Sequence, residues 1–297
     1  MAKDWEQIFT NWTKPPSDTE DARCSNAVSM IKNAVDSDSL LKKMRISVFA
    51  QGSYANNTNV RLNSDVDVSI CNNDYLFCDY PVGKSDSDYG NNDSNYTFSD
   101  FKNQVQIALE NYFGKSHVVR GNKAFDIKSN TYRVEADAVP CFEHRRYTGS
   151  SRSYHSGTEF IADDRKRIIN WPNQHLNNGV QKNKETSLQF KKVVRILKRL
   201  NIEMRDNNVD VANRIPSFLI ECLCWNTSNS VYGYSTYTAM VKELIRHLFH
   251  STNDNQKVNE WGEINELKYL FRLTQPWTLE DAHDWTSRVW NYLGFTG

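Results

Sequence analysis

Two aspartates one residue apart, in Asp65-Val66-Asp67-Val68, carry the most chemical information in this sequence. In a β-strand side chains at i and i+2 share a face, so Asp65 and Asp67 project together while Val66, Val68 and Ile70 enter a core. On a helix the same carboxylates would stand about 200° apart. The strand reading gives a rigid acidic pair able to bridge two divalent cations roughly 3.5–4 Å apart, the arrangement that stabilises the attacking and leaving oxygens of an in-line displacement at phosphorus. Asp-x-Asp also occurs at Asp36/Asp38 and Asp86/Asp88, where no apolar residues alternate with it. A third carboxylate is expected from a neighbouring strand. Tyr132 to Val139 supplies Asp137, with Glu135 on the same face as its competitor.

A strand ends in Gln51-Gly52-Ser53, and eleven residues separate Ser53 from Asp65. A glycine there permits backbone conformations that aim amides inward, and the serine hydroxyl can donate to a phosphate oxygen. Gly-Ser alone carries no signal. With the spacing, the strand-borne pair and the later strand aspartate, it predicts a nucleotidyltransferase of the polymerase-β type. Asp65, Asp67 and Asp137 are then its catalytic and metal-binding residues, holding two Mg²⁺ ions with Mn²⁺ as a substitute. Gln51, Gly52 and Ser53 form part of its nucleotide site.

A second group lies downstream. In Phe190 to Leu200 the apolar residues form one stripe, while Lys191, Arg195 and Lys198 follow i, i+4, i+7. Most such basic stripes are solvated faces. Here Ile215-Pro216-Ser217-Phe218 follows, with proline suited to a first helical turn, so Ser217 lands where free N–H groups and the positive helix end bind anions. A lysine with a helix-start serine makes a triphosphate clamp. Phe218 can stack on a base or fill core.

The elements that must position these residues read as α+β. Ser17-x-x-Glu20 is a capping-box pattern opening one long helix from 18 to about 43. Period-2 runs at 46–49, 66–70, 118–120, 124–128 and 132–139 are sheet strands. Asn72 to Tyr96, dense in Asp, Asn, Ser and Gly, reads as an exposed mobile insertion. Helical spacing over 98–113 stops at Gly114. Beyond about residue 185 the chain is almost all helical, over 187–200, 216–225, 238–249 and 279–293. The expected domains are 1–165, a mixed-sheet core with its N-terminal helix, and 166–297, a helical lobe closing the nucleotide cleft.

The 297 residues are 39% hydrophobic and 24% charged, which excludes disorder and coiled coil. Lys+Arg 36 against Asp+Glu 36 leaves no basic field, so a long nucleic-acid partner is not expected. No apolar run reaches membrane-span length, and the N-terminus lacks a signal-type apolar stretch. The expectation is a cytoplasmic protein. Cys222 and Cys224 fall within an apolar helical run, and the other four cysteines are scattered, so free thiols are favoured over a zinc site.

Gln51 to Arg61, Ser64 to Val68, Phe190 to Leu200 and Ala212 to Asn226 resemble the bacterial cGAS/DncV-like nucleotidyltransferases, closest to clade E. The stretch from Asn170-Trp171-Pro172 through Asn183 resembles that clade's lid region. The resemblance implies a polymerase-β-like core packed on a helical lobe of the oligoadenylate-synthase and poly(A)-polymerase kind. It also implies template-independent synthesis of a cyclic oligonucleotide from nucleoside triphosphates, with release of pyrophosphate, in CBASS anti-phage signalling. Ser53, Asp65, Asp67 and Asp137 fall at the metals and phosphates, and Lys198 and Ser217 on the triphosphate. Phe218 stands where tyrosine is frequent, and the insertion after Asn72 has no evident counterpart. Asn170 occupies a position where pyrimidine users of the clade carry asparagine, and its amide can match both O4 and N3–H of uracil. UTP, with ATP as a second substrate, is therefore expected, in a monomer with a CBASS regulatory or effector partner. The rivals are a polymer-tailing or antibiotic-modifying transferase and a catalytically dead nucleotide-binding scaffold.

Overall fold

A computed structural model describes residues 3–60 and 65–296. Arg61 and Ser64, quoted above in the family motifs, lie outside the described residues. The chain divides into two compact units. One comprises Ser17–Ala55 and Asn63–Pro172, and the other comprises the segments up to Pro16, from Asn56 and from Asn173 onward.

The first unit opens with the helix Asp18–Ser37. The Ser17 hydroxyl accepts from the Glu20 N–H and the Glu20 carboxylate accepts from the Ser17 N–H, the reciprocal cap its sequence predicts. This helix stops at Ser37 instead of near 43, because the Asp38 carboxylate accepts the N–H groups of Leu40 and Leu41, both at 2.9 Å, and turns the chain. The sheet follows: β1 (Ile46–Gln51), β2 (Val66–Asp79), β3 (Val118–Arg120), β4 (Phe125–Ile127), β5 (Ala136–Tyr147), β6 (Tyr154–Ile161) and β7 (Arg167–Asn170). Its order is β1-β2-β5-β4-β3, with β6 on the far half of β5 and β7 on β6. The β2–β5 pair is parallel and the others are antiparallel. Val66, Val68 and Ile70 are fully buried, in one core with Ile31 of the first helix and with Phe101, Val105 and Leu109 of the helix Phe98–Phe113.

Three further expectations are corrected in this unit. The strand carrying Asp137 begins at Ala136, not Tyr132, because the Asn130 side chain accepts the N–H groups of Tyr132 and Arg133 in a turn. The region after Asn72 is not a polar insertion throughout: β2 continues to Asp79 beyond an irregularity between Asn72 and Leu76. Tyr80, Tyr89 and Tyr147 then stack, with centroids 4.2–5.4 Å apart. The polar residues between these tyrosines hide the cluster from a composition reading. Finally, β6 and β7 were not expected. Their inward positions include Glu159, and its complete burial breaks the apolar alternation.

The helical unit is built around Phe190–Asp206, whose Val193, Val194, Ile196, Leu197 and Leu200 are fully buried against Ser217–Trp225, Tyr237–Thr252 and Leu279–Tyr292. Cys222 and Cys224 are buried free thiols in that core. A single cut after residue 165 does not describe this unit. Phe9, in the helix Trp5–Trp12, is completely buried in its core, and Arg195 donates to the carbonyls of Thr13 and Asn57 at 2.8 and 2.6 Å. Conversely, β7 keeps residues 167–170 with the sheet. Among the described residues no helix is long and apolar enough to cross a membrane.

Candidate active site

Strand register assembles the acidic group. Gln51 of β1 pairs with Asp67 of β2, Asp67 with Asp137 of β5, and Asp137 with Asp126 of β4. Four neighbouring strands thus contribute one row across the sheet, with strands about 4.8 Å apart. Asp65 stands just before β2, exposed, while Val66 and Val68 on either side of Asp67 are sealed in the core. Burial raises the Asp137 carboxyl to about 6, reinforced by the charges of Asp67, Asp126 and Asp65. Glu135, the competitor, precedes β5 and is exposed; its carbonyl accepts the Val66 N–H at 3.2 Å.

Gly52 follows β1 with φ +66°, and a Cβ on it would lie 2.2 Å from Oδ2 of Asp67. Only glycine allows the backbone to pass that carboxylate. Ser53 lies in the short helical turn Gly52–Ala55. The Gln51 side-chain oxygen accepts from the Ser69 hydroxyl at 2.7 Å, so part of this side chain braces the sheet.

Among the described residues no three His, Cys, Asp or Glu side chains are gathered closely enough to hold a metal ion. The row presents hard carboxylate oxygens, of the type that divalent cations take as ligands, with Asp137 raised first by burial and then by its charged neighbours. Asp126 was not singled out from sequence. Its strand was legible, but only the antiparallel register places it beside Asp137.

In the helical unit Ser217 is exposed at the first position of Ser217–Trp225, with Pro216 as the cap instead of inside the first turn. Phe218 is half-buried, its ring 5.6 Å from His175 and 5.9 Å from Trp277. Lys198 departs from the expected direct contact with triphosphate. It is only 3% exposed, and its ammonium donates to Glu221 at 2.6 Å and to Thr58 at 3.1 Å. The Thr58 hydroxyl donates to the same Glu221 oxygen at 2.9 Å, and His175 Nε2 donates to the other at 3.1 Å. Burial alone would raise the Glu221 carboxyl; the Lys198 charge and the His175 hydrogen bond outweigh it and hold it well below the usual carboxylate range. Position 198 faces the core, where an ammonium needs a compensating carboxylate. Arg195 is likewise 5% exposed and spent on backbone carbonyls. Of the basic stripe, Lys191 is the half-buried member whose ammonium makes no hydrogen bond among the described residues, and burial lowers its pKa. Glu221, His175 and Thr58 were missed from sequence, although Glu221 sits four residues after Ser217.

Asn170 ends β7, paired with Thr158, and its side-chain amide makes no hydrogen bond among the described residues. Trp171 behind it is 2% exposed, and the lid-like stretch is the helix Pro172–Glu185.

A mixed sheet with an acidic row beside a Gly-Ser turn, in one chain with this helical unit, is the fold of an α+β nucleotidyltransferase. Residues 177–294 match the family model of the cGAS/DncV-like nucleotidyltransferase C-terminal helical domain. The chain is 42% identical to the cyclic dipyrimidine nucleotide synthase CdnE of Cecembia lonarensis, over 99% of this chain and 100% of that protein. It is 36% identical to the cyclic dipurine nucleotide synthase of Elizabethkingia meningoseptica, covering 98% of each. It superposes on the structure of Rhodothermus marinus CdnE c-UMP-AMP synthase with Apcpp and Upnpp with a TM-score of 0.86 at 27% identity, covering 98% of this chain and 97% of that one. The chain belongs to the cGAS/DncV-like nucleotidyltransferases, in their CdnE group of cyclic nucleotide synthases. It is an enzyme that makes a cyclic nucleotide, which displaces the tailing, antibiotic-modifying and inactive-scaffold readings.

Proposed function

We propose that this enzyme makes a cyclic dinucleotide containing UMP, cyclic di-UMP or cyclic UMP-AMP, as a signal in CBASS anti-phage defence. A ribose hydroxyl of one nucleotide attacks the α-phosphorus of the next triphosphate and expels pyrophosphate. A second such step closes the ring. The observation that carries the chemistry is the register of Asp67 beside Asp137, next to a Gly52 that leaves no room for a side chain.

Asp65, Asp67 and Asp137 would hold two Mg²⁺ ions, or Mn²⁺ in their place, which when bound neutralise charge on the attacking and leaving oxygens. Ser53 donates its hydroxyl to phosphate. On the helical unit Ser217 and the first-turn amides of its helix donate to the triphosphate, with Lys191 as the uncommitted cation. Lys198 acts there by holding Glu221, which keeps the start of that helix in place. Phe218 offers a ring face to a base. Gly52 keeps the backbone clear of Asp67, and Gln51 braces the strand that bears it.

Base choice rests on Asn170, whose uncommitted amide can donate to O4 and accept from N3–H of uracil. The 42% identical relative is a dipyrimidine synthase and the 36% identical one a dipurine synthase, so the similarity supports pyrimidine use. The neutral chain supports activity without a long nucleic-acid activator, and the same proposal includes a monomer in the cytoplasm regulated through a protein partner.

The test is an equimolar mixture of the four triphosphates with Mg²⁺, phosphatase treatment of the products and mass spectrometry. A phosphatase-resistant dinucleotide containing UMP is expected. A linear product overturns the cyclic reading, and a product built only from purines overturns the base assignment.

A further inference from the structure

The residue that follows Asn170 is held more tightly than its place at a strand end requires. Trp171 is 2% exposed, and its ring meets His144 edge-on at 5.2 Å and His155 at 6.4 Å, with the Arg146 guanidinium 4.7 Å from its centroid. His144 is itself completely buried and bonded to Glu159 at 2.7 Å, and Arg167 donates to Glu159 at 2.6 Å. Burial would raise Glu159; the hydrogen bonds from His144 and Arg167 lower it instead. This charged group ties β5, β6 and β7 together behind the indole.

Gly157 of β6 makes the seat. It adjoins Thr158, the register partner of Asn170. A Cβ on Gly157 would lie 2.5 Å from the Asn170 carbonyl oxygen and 2.6 Å from Cε3 of Trp171. Neither neighbour is free to retreat, since one is backbone and the other a buried ring. The indole Nε1 is buried without a hydrogen-bond partner among the described residues, a cost that the seat imposes. This close approach fixes the backbone of the residue proposed to read the base.

We propose that Gly157 and Trp171 are positioning residues for base selection: the absent side chain at 157 lets the Asn170 carbonyl and the Trp171 ring seat against β6, and that seat sets where the Asn170 amide meets the base. This rests on the assignment of Asn170 to uracil recognition. A methyl group at 157 displaces the Asn170 backbone, and a donor–acceptor match to uracil is lost over shifts of an ångström.

The experiment measures the ratio of UMP to purine in the product from an equimolar mixture of the four triphosphates, and KM for UTP and ATP separately. It compares wild type with Asn170→Ser, Gly157→Ala and Trp171→Phe, each checked by thermal melting. Gly157→Ala is expected to lower the UMP:purine ratio by about tenfold, and Trp171→Phe by a few-fold in the same direction, with the loss in KM for UTP and not in KM for ATP. Loss of stability alone would lower both substrates equally and leave the ratio unchanged. If Gly157→Ala does not fold, Trp171→Phe decides alone. A shifted ratio in Asn170→Ser with wild-type ratios in both other variants overturns this inference and leaves the Asn170 assignment standing. A wild-type ratio in Asn170→Ser overturns that assignment itself, and this inference with it.

Discussion

The sheet unit and the helical unit each concentrate charge, with opposite accounting. In the sheet, Asp67, Asp137 and Asp126 stand in adjacent register with Asp65 nearby, and Asp137 is raised to about 6 by burial and by those charges. In the helical unit Glu221 is more deeply buried, at 3% exposure, yet it receives Lys198, Thr58 and His175 and is lowered. A carboxyl raised by burial and by like-charged neighbours costs stability, and such groups concentrate at functional sites. A compensated one ties helices together. The comparison teaches that burial with like charges raises a carboxyl in the sheet unit while opposite charge lowers one in the helical unit, and each side can be broken separately.

The largest effect is expected from Asp65→Ala with Asp67→Ala. Removing both oxygens proposed to hold cations eliminates synthesis while relieving repulsion, so the folded double mutant should show no phosphatase-resistant product. Wild-type turnover would remove the acidic row from the chemistry. The reverse pattern is expected of Glu221→Ala, which strands Lys198 in a buried site. Stability should fall by about 3–5 kcal/mol, read by urea denaturation. Paired replacement, Lys198→Met with Glu221→Leu, should recover most of that loss, and failure to recover it would mean the pair does more than compensate itself.

Asp137→Asn sharpens the comparison through pH. The folded-state pKa of Asp137 is raised from the ordinary 3.8 to about 6, so the folded protein keeps a proton that the unfolded chain releases across that window. Stability from this group is therefore present at low pH and declines as pH rises through 4 to 6. In metal-free buffer the variant should melt above wild type by at least about 2 °C at pH 7, with the gap closing toward pH 4. A gap independent of pH would show that Asp137 is not strained by its neighbours. The smallest effect is expected for Lys191→Ala and Ser217→Ala, each weakening nucleoside triphosphate use by roughly 1.5–3 kcal/mol with the melting temperature preserved. Unchanged apparent KM in both would move the triphosphate contacts elsewhere.

Local pattern alone determined much of this protein. The Ser17/Glu20 cap, the helix Phe98–Phe113 and the strand placement of Asp67 all follow from periodicity and capping within a few residues, because sterics and hydrogen bonding act over one or two turns, while Asp65 falls one residue short of the strand. The stretches Gln51 to Arg61, Ser64 to Val68, Phe190 to Leu200 and Ala212 to Asn226, with the lid-like stretch from Asn170, together carried the resemblance to the family. Tertiary structure decided which charges are spent. Thr58 and Glu221 are 163 residues apart, and Thr58 and Lys198 are 140 apart, so nothing local could show that Lys198 is buried and Lys191 is not. Strand pairing likewise put Asp126 beside Asp137 and brought the Asn170 carbonyl close to Gly157. Periodicity states which face a side chain takes; the partner it meets there depends on segments brought together only when the whole chain buries its apolar surface.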